Sequence, residues 1–184
     1  MMTLVIGGSK CGKSSYAESL FSDFCGEKIY LATMLPFGEE AHAAIERHRK
    51  VRLGKGFSTL ERSADIGGAD VPKGAGVLLE DMGNLLANEM FSGEKILDPT
   101  EKILYGIEVL QNTAALLVIV SNNVGADGIS YQGSTALYIK YLAEINRAVA
   151  ERADKVVECV FGIPVVQKTG KQYACKVQTT IGQR

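Results

Sequence analysis

Residues 5–18, VIGGSKCGKSSYAE, decide the fold of this chain. Residues 7–14 of this stretch fit the pattern G-x-x-x-x-G-K-[ST] without a gap. An apolar run of strand length precedes the pattern and a helical repeat follows it, which is the context in which it forms a phosphate-binding loop. Glycines allow successive backbone N–H groups to point into one concavity, and the N-terminal end of the next helix adds positive potential there. The stretch therefore predicts a binding site for a nucleoside triphosphate.

Two side chains of this loop have specific predicted roles. Lys13 is expected to contact the β and γ phosphates and to act as a catalytic cation, and the Ser14 hydroxyl is expected to bind Mg²⁺. Lys10 has two interpretations that the sequence leaves open, a further cation on the phosphates or a residue that faces solvent. The predicted nucleotide contacts of this segment are Gly7, Gly8, Ser9, Lys10, Cys11, Gly12, Lys13, Ser14 and Ser15.

The composition is that of a folded chain of ordinary size. The 184 residues are 46% hydrophobic and 22% charged, which predicts a single nucleotide-binding domain over residues 1–184 and argues against disorder. A net charge of -1 gives no support for nucleic acid or an anionic membrane surface as the main partner. No run approaches the roughly 20 apolar residues of a membrane span. The first residues also lack the basic start of a signal peptide. We therefore expect a cytoplasmic protein without stable membrane insertion.

Apolar runs of strand length alternate along the chain with longer helical patterns. This alternation predicts an α/β fold with a mostly parallel sheet and helices on both faces. The predicted strands are residues 3–6, 28–33, 57–60, 77–79, 115–121 and 155–161, with a possible last strand at 173–179. The predicted helices are residues 14–24, 39–51, 84–91, 100–113 and 134–152.

The four cysteines are Cys11, Cys25, Cys159 and Cys175, and none belongs to a C-x-x-C pair. This spacing argues against a zinc site or a thioredoxin-like redox motif. In a cytoplasmic chain we expect thiols rather than disulfides, with packing or incidental roles for every cysteine except the one in the phosphate loop.

Polar residues follow two of the predicted strands at the point where each strand ends. Thr33 closes one strand, and Glu80 and Asp81 follow the strand at residues 77–79. Substrates of parallel α/β sheets bind beyond the carboxyl ends of the strands. A carboxylate at this edge orders Mg²⁺ or its water ligands. We predict a metal site formed by Ser14, Glu80 and Asp81, with a solvated acidic turn as the alternative interpretation.

The two histidines, His42 and His48, lie on a predicted basic helix. Six positions separate them, so they do not share one helix face and do not predict a two-histidine metal site. Arginine or lysine occupies positions 47, 49, 50 and 52 around His48. One interpretation of His48 is a nucleophile whose neutral imidazole attacks phosphorus while the cations stabilise the developing charge. The other interpretation is a solvated basic helix end.

Several short segments together resemble one enzyme family. Residues 7–14 have the form G-G-x-x-S-G-K-S with Cys11 in place of the serine, and residues 30–33 read YLAT. His48 and Arg52 fit H-x-x-x-R, residues 78–80 read LLE, and residues 120–125 read VSNNVG. From about residue 3 to residue 168, the chain resembles the bifunctional adenosylcobinamide kinase / adenosylcobinamide-phosphate guanylyltransferase family of cobalamin biosynthesis.

This resemblance implies two reactions. A nucleoside triphosphate, ATP or GTP, phosphorylates the aminopropanol hydroxyl of adenosylcobinamide. GTP then guanylylates a histidine, which passes GMP to the cobinamide phosphate to give adenosyl-GDP-cobinamide. His48 occupies the position of that catalytic histidine. The resemblance further implies a three-layer P-loop fold close to RecA, with six parallel strands and one antiparallel strand, and a homotrimer. It adds four residues to the nucleotide site, namely Thr33, Arg52, Glu61 and Glu80.

The chain departs from the family pattern at two places. Asn123 stands where the family usually has glutamate, and an amide cannot act as a base. The segment that carries arginines in the family has Gln132, Gly133, Ala136, Ile139 and Lys140 here.

Two other functions stay open from the residues alone. One is a small-molecule P-loop kinase without guanylyl transfer, in which His48 is only a basic-helix residue. The other is a nucleotide-binding regulator, although the sequence lacks the guanine motif N-K-x-D of GTPase switches. Tyr131, Tyr138 and Tyr141 are expected to pack within a helix or to lie at the surface rather than to stack on a ligand.

Overall fold

The computed structural model describes residues 1–35, 54–125 and 127–170. Its strands are β1 (Met2–Gly7), β2 (Lys28–Ala32), β3 (Phe57–Glu61), β4 (Gly76–Glu80), β5 (Leu116–Val120), β6 (Lys155–Val160) and β7 (Ile163–Thr169). Its helices are α1 (Lys13–Ser19), α2 (Met82–Met90), α3 (Thr100–Thr113) and α4 (Gly133–Arg152), with a short 3-10 turn at Ile66–Gly68.

These strands form one sheet in the order β3-β2-β4-β5-β1-β6-β7. Strands β1 to β6 pair parallel with one another, and β7 pairs antiparallel with β6. In the described parts of the chain, the sheet therefore has the six parallel strands and one antiparallel strand that the resemblance implies. The prediction of a mostly parallel P-loop sheet is confirmed.

Side chains on both faces of the sheet are buried, and each face has its own hydrophobic core. Leu78 and Leu79 of β4 are both fully buried but belong to different cores, because successive side chains of a strand point to opposite faces. Helices α2, α3 and α4 pack on the Leu79 face, and α1 packs on the Leu78 face. The predicted three-layer α/β fold is therefore confirmed.

The position of β1 inside the sheet determines where the phosphate loop lies. Strand β1 pairs with β5 on one side and with β6 on the other, and its carboxyl end leads directly into the loop. At the same edge of the sheet, Ala32 of β2 is level with Glu61 of β3 and with Glu80 of β4. The loop and both glutamates thus lie beyond the carboxyl ends of parallel strands, where ligands of such sheets bind.

Helix α1 is shorter than its sequence spacing predicts. The pattern extends over residues 14–24, but α1 ends at Ser19. Beyond it the Phe21 N–H donates to the Glu18 carbonyl at 3.1 Å and the Phe24 N–H donates to the Phe21 carbonyl at 3.2 Å, so the turns tighten to three residues. These turns bring the Phe21 ring edge-to-face against Phe57, with 5.1 Å between the ring centroids. A contact between residues distant in the sequence therefore sets the end of this helix.

Strand β7 is absent from the predicted elements. Six of its seven residues are exposed, and Pro164 interrupts the apolar residues 163–166, which argues against a strand in the sequence. It lies at the edge of the sheet and includes Pro164, which edge strands tolerate. The possible strand at residues 173–179 and the predicted helix at residues 39–51 lie outside the described residues.

Helix α4 is the longest of the described helices, with 20 residues. It buries Leu142, Ile145 and Val149, whose spacing of three and four residues gives one apolar face, and the rest of its surface is polar or half-exposed. Within residues 1–35, 54–125 and 127–170, every helix is too short or too polar to cross a lipid bilayer.

The central strands carry the stability of the sheet, and Leu79→Ala tests this. Leu79 is fully buried in β4, so the substitution leaves a cavity in the core, and we expect it to lower the free energy of unfolding by about 2–5 kcal/mol. Leu97→Ala is the control, because Leu97 is 49% exposed, and its loss is expected to stay below about 1 kcal/mol. Urea unfolding followed by circular dichroism measures both; equal losses would contradict the assignment of the core.

Candidate active site

The phosphate loop joins β1 to α1 and depends on two glycines. Gly7 has φ 155°, and a Cβ there would lie 2.6 Å from the Cys159 carbonyl oxygen and 2.7 Å from the Cys11 sulfur. Gly12, the N-cap of α1, has φ 93°, a conformation that other residues rarely adopt. The loop formed in this way has a cavity of about 230 Å³ lined by Lys10, Cys11, Gly12, Lys13, Ser14 and Ser15.

Lys13 is the buried cation of this loop, with 8% of its surface exposed. Its Nζ donates to the Gly7 carbonyl oxygen at 3.1 Å and to the Gly8 carbonyl oxygen at 2.5 Å. The ammonium group is therefore held over the loop by the loop's own carbonyls. A buried ammonium beside backbone N–H groups and a helix N-terminus is suited to binding a polyphosphate.

Gly8, Ser9 and Lys10 form the exposed side of the loop. The backbone turns through a left-handed conformation at Lys10, whose φ is 56°. Lys10 also lines the cavity of the loop. Both interpretations of its charge stay open, since the side chain is exposed and close to the concavity at the same time.

Ser14, Tyr30 and Glu80 form a hydrogen-bonded cluster at the carboxyl edge of the sheet. The Ser14 hydroxyl donates to Glu80 Oε1, and the Tyr30 hydroxyl donates to Glu80 Oε2 at 2.7 Å. Helix α1 and strands β2 and β4 thus converge on one carboxylate. Tyr30 is not among the predicted site residues. Its signal is the register, because it lies opposite Leu78 and so on the same sheet face as Glu80.

Asp81 has different surroundings from Glu80, although the two are adjacent in the sequence. Its Oδ1 accepts a hydrogen bond from the Asn84 backbone N–H at 2.6 Å, which caps α2. Burial raises the pKa of Tyr138 on α4, and the Asp81 carboxylate raises it further. Asp81 therefore faces α2 and α4, whereas Glu80 faces α1.

Thr33 joins the ends of β2 and β4. It is fully buried, its Oγ1 donates to the Asp81 carbonyl oxygen at 2.8 Å, and its N–H donates to the Glu80 carbonyl oxygen at 3.1 Å. The Asn88 side-chain amide donates to the Thr33 carbonyl oxygen at 2.8 Å. These bonds fix the backbone from which Glu80 and Asp81 project, so the structure gives Thr33 a positioning role at the site.

Glu61 ends β3 and is exposed at the same edge of the sheet. Strand β2 separates it from Glu80, which corresponds to about 10 Å between the two backbones at a strand spacing of ~4.8 Å. The next residue, Arg62, donates its backbone N–H to the Ala32 carbonyl oxygen at 2.9 Å and so extends the pairing of β3 with β2. His48 and Arg52, the other two residues that the resemblance adds to this site, lie outside the described residues.

The donor atoms near the loop are suited to magnesium rather than to a softer metal. Within the described ranges, no three His, Cys, Asp or Glu side chains are grouped to hold a metal ion. Mg²⁺ does not need such a group, because it keeps several waters and binds one or two protein oxygens together with nucleotide phosphates. The Ser14 hydroxyl and the Glu80 carboxylate supply oxygens of this kind.

Three cysteines lie in the described residues, and all three are free thiols. Cys25 is exposed, and Cys159 is buried in the core on the α1 face. Burial raises the pKa of the Cys159 thiol, Cys11 raises it further, and Lys13 opposes the change. These environments fit the predicted packing or incidental roles of Cys25 and Cys159, and Cys175 lies outside the described residues.

A second cavity, of about 510 Å³, lies beyond the carboxyl end of β5. Tyr131 and Tyr138 line this cavity, a position that the expectation of packing or surface exposure did not include. Tyr138 and Tyr141 both pack against the core on the α2 to α4 face, as expected. The second cavity adjoins the phosphate loop through Asn123, whose backbone N–H donates to the Gly7 carbonyl oxygen at 3.1 Å.

Comparison with known proteins assigns this chain to a protein family. The family model described as cobinamide kinase / cobinamide phosphate guanyltransferase matches residues 3–167. This chain belongs to that family. The match covers the phosphate loop, the Ser14–Glu80 pair and the second cavity. It confirms the predicted family and, at the level of the family, the prediction of a kinase and guanylyltransferase of cobalamin biosynthesis.

Curated relatives support the same family, and each aligns with this chain over nearly its whole length. The chain is 33% identical to the bifunctional adenosylcobalamin biosynthesis protein CobU of Escherichia coli, over 90% of this chain and 98% of the relative. It is 31% identical to the protein of the same name from Salmonella typhimurium, with the same coverage. It is 26% identical to the bifunctional adenosylcobalamin biosynthesis protein CobP of Pseudomonas aeruginosa, over 91% of this chain.

Lys13→Ala tests the phosphate loop. Removing a buried, charged hydrogen-bond donor from the loop is expected to weaken the binding of GTP by about 2 kcal/mol, or roughly 30-fold. Isothermal titration with GTP and magnesium measures the loss. Lys10→Ala is the matched comparison, and because Lys10 is exposed, we expect it to weaken binding by less than about fivefold. A larger loss at Lys10 than at Lys13 would contradict the assignment.

Glu80→Gln tests the carboxylate next to Ser14. An amide keeps the size of the side chain but is a poorer partner for a magnesium ion or its waters, so the magnesium concentration for half-maximal turnover is expected to rise about 10- to 100-fold. The measurement is a magnesium titration of the enzyme at saturating nucleotide. Glu101→Gln, an exposed change on α3, serves as the control. An unchanged magnesium requirement in Glu80→Gln would show that this carboxylate does not serve the metal.

Proposed function

We propose that this chain carries out both reactions of its family through the residues that its sequence predicts. The phosphate loop binds a nucleoside triphosphate for the phosphorylation of adenosylcobinamide. His48 then carries GMP from GTP to the cobinamide phosphate, which gives adenosyl-GDP-cobinamide. The observation that carries the proposal is the family match over residues 3–167, and the contact between the phosphate loop and Glu80 supports it.

In the kinase step, the substrate hydroxyl oxygen forms a bond to the γ phosphorus of the nucleotide. The bond between that phosphorus and the β–γ bridging oxygen breaks, the nucleoside diphosphate leaves, and the hydroxyl proton goes to solvent. Lys13 stabilises the charge on the transferring phosphoryl group from its place over the loop. The backbone N–H groups of the loop orient the β and γ phosphates for in-line transfer.

Magnesium fits this site through the oxygens of Ser14 and Glu80. When bound, the ion neutralises charge on the β and γ phosphates. Tyr30 holds the second oxygen of Glu80, which fixes the orientation of the carboxylate relative to Ser14. Asp81, also predicted as a metal residue, supports the site from the opposite face by capping α2.

In the guanylyl-transfer step, a neutral nitrogen of His48 bonds to the α phosphorus of GTP, and pyrophosphate leaves. An oxygen of the cobinamide phosphate then bonds to the same phosphorus, and the phosphorus–nitrogen bond breaks, which frees the histidine. Arg52 and the cations around His48 stabilise the negative charge of both transition states. We propose that Glu61 contributes to nucleotide binding from the end of β3, at the edge that also carries Glu80.

The proposal also covers the oligomeric state, the cellular location and the substrates. We propose that the enzyme is a cytoplasmic homotrimer that uses ATP or GTP with Mg²⁺ and acts on a small-molecule corrinoid. Nucleic acid and stable membrane insertion play no part in it. Sedimentation equilibrium tests the trimer directly.

Covalent labelling of His48 tests the guanylyl-transfer step. The protein is incubated with magnesium and GTP labelled at the α phosphorus, and the label is mapped by peptide mass spectrometry. We expect an acid-labile adduct of GMP on His48 in the wild-type chain, because a phosphorus–nitrogen bond hydrolyses in acid. The His48→Ala chain is expected to carry no adduct.

The second histidine provides the control for this experiment. His42→Ala is expected to keep the adduct, since six positions separate it from His48 and the predicted helix would put the two on different faces. Transfer of the γ phosphate of labelled ATP to cobinamide without any adduct would instead identify a simple kinase. An adduct that survives His48→Ala would remove His48 from the mechanism.

A further inference from the structure

The second cavity is a built feature of the fold with no role in nucleotide binding assigned to it. It has a volume of about 510 Å³, which lies in the range of about 300–1,000 Å³ that small-molecule sites occupy. The loop after β5 forms one wall, and the first two turns of α4 form the other. Its lining residues are Asn123, Val124, Gly125, Asp127, Tyr131, Thr135, Tyr138 and Ile139.

The cavity lies directly beside the phosphate loop in the architecture of the sheet. Strand β5 is the neighbour of β1, and Val5 is paired with Val120 at their carboxyl ends. The Ser121 N–H donates to the Val5 carbonyl oxygen at 2.9 Å, and the Asn123 N–H donates to the Gly7 carbonyl oxygen at 3.1 Å. The first residue of the cavity wall is therefore hydrogen-bonded to the first glycine of the loop that binds phosphate. A ligand in the cavity would therefore lie next to the nucleotide site without using the backbone N–H groups of the phosphate loop.

The polar groups of the cavity are suited to a neutral hydroxyl compound rather than to an anion. None of the eight lining residues is a lysine or an arginine. Asp127 adds a negative charge, and the hydrogen bond from the Tyr131 hydroxyl to its Oδ2, at 2.6 Å, lowers the pKa of that carboxyl, so it is ionised at neutral pH. Asn123 and Tyr138 carry neutral donors and acceptors.

The rim of the cavity is apolar and exposed. Val124 is 41% exposed and Tyr131 is 37% exposed, and both line the cavity. Exposed apolar side chains grouped around a cavity indicate a binding surface. A corrinoid with its axial groups is larger than the cavity, so this rim offers a surface for the part of the molecule that does not enter it.

We propose that this cavity is the acceptor subsite of the kinase step: it takes the hydroxyl-bearing side arm of the corrinoid, while the macrocycle rests on the apolar rim. This inference rests on the proposed function and adds to it the residues that determine the specificity for the acceptor substrate. After phosphorylation, repulsion by the Asp127 carboxylate favours departure of the new phosphate ester from the cavity.

Thr135→Trp blocks the proposed subsite with little risk to folding, because Thr135 is exposed on α4 and lines the cavity. The expected result is a KM for cobinamide that rises about tenfold or more, with a KM for the nucleotide that changes by less than about twofold. Ala143→Trp places the same ring on an exposed position of the same helix, two turns further along, and is expected to leave both constants within about twofold of wild type. An unaltered KM for cobinamide in Thr135→Trp would overturn the assignment.

A binding measurement separates failure of this inference from failure of the proposed function. The chain contains no tryptophan, so a single introduced indole reports on its own surroundings. Tyr131→Trp places the reporter in the cavity wall, and Ala143→Trp places it outside. Cobinamide absorbs light, and it is expected to quench the emission of Tyr131→Trp with saturation while Ala143→Trp shows only the linear loss caused by absorption of the solution.

The outcomes of the two experiments are distinct. Saturable quenching in Tyr131→Trp without any phosphorylation of cobinamide would refute the proposed kinase step and leave the cavity as a corrinoid site. Phosphorylation of cobinamide with equal quenching in both tryptophan variants would uphold the kinase step and overturn the cavity as its acceptor subsite.

Discussion

The contact between Ser14 and Glu80 is the interaction on which the geometry of this site depends. Ser14 lies in the first turn of α1, directly after the phosphate loop, and Glu80 ends β4, which is two strands away from β1 in the sheet. This hydrogen bond attaches the start of α1 to β4, in addition to the covalent connection through β1 and the hydrogen bond from the Asn123 N–H to the Gly7 carbonyl oxygen. Because Tyr30 holds the other carboxylate oxygen from β2, the position of Glu80 is fixed from two sides. A cation bound by Ser14 and Glu80 then meets a preorganised pair of oxygens.

Much of the fold and the loop could be predicted from the sequence, because local patterns determine them. Glycine positions and helical spacing predict the phosphate loop, and apolar runs predict the six parallel strands. The pairing of Glu80 with Ser14, and not with α2, follows the same kind of rule, since side chains alternate along β4 and Glu80 points to the same face as Leu78, where α1 packs. Asp81 follows the strand and faces α2, so two adjacent acidic residues that look equivalent in the sequence serve different faces of the sheet.

The remainder depends on contacts between residues that are distant in the sequence. Phe21 packs on Phe57, and α1 ends early as a result, although its spacing predicts a longer helix. Tyr30 and Tyr138 look like core or surface tyrosines, because nothing local shows that one meets Glu80 and the other lines a cavity. Strand β7 escapes prediction because Pro164 interrupts its apolar residues, and only the sheet order shows that it is an edge strand, where proline is tolerated.

The replacement of a glutamate by Asn123 is compatible with phosphoryl transfer at this site. The transition state of such a transfer is loose, with little bond formation to the incoming oxygen, so the hydroxyl keeps its proton until late in the step and gains little from a strong base. What the reaction needs is a fixed position for that oxygen and stabilisation of the charge on the phosphoryl group. Asn123 is attached to Gly7 through its backbone and lines the cavity beside the loop, so its amide can orient a hydroxyl by hydrogen bonding. In the proposed kinase step Lys13 supplies the positive charge from the other side, so the proposed chemistry depends on the spacing of β5 and β1 more than on a carboxylate at position 123.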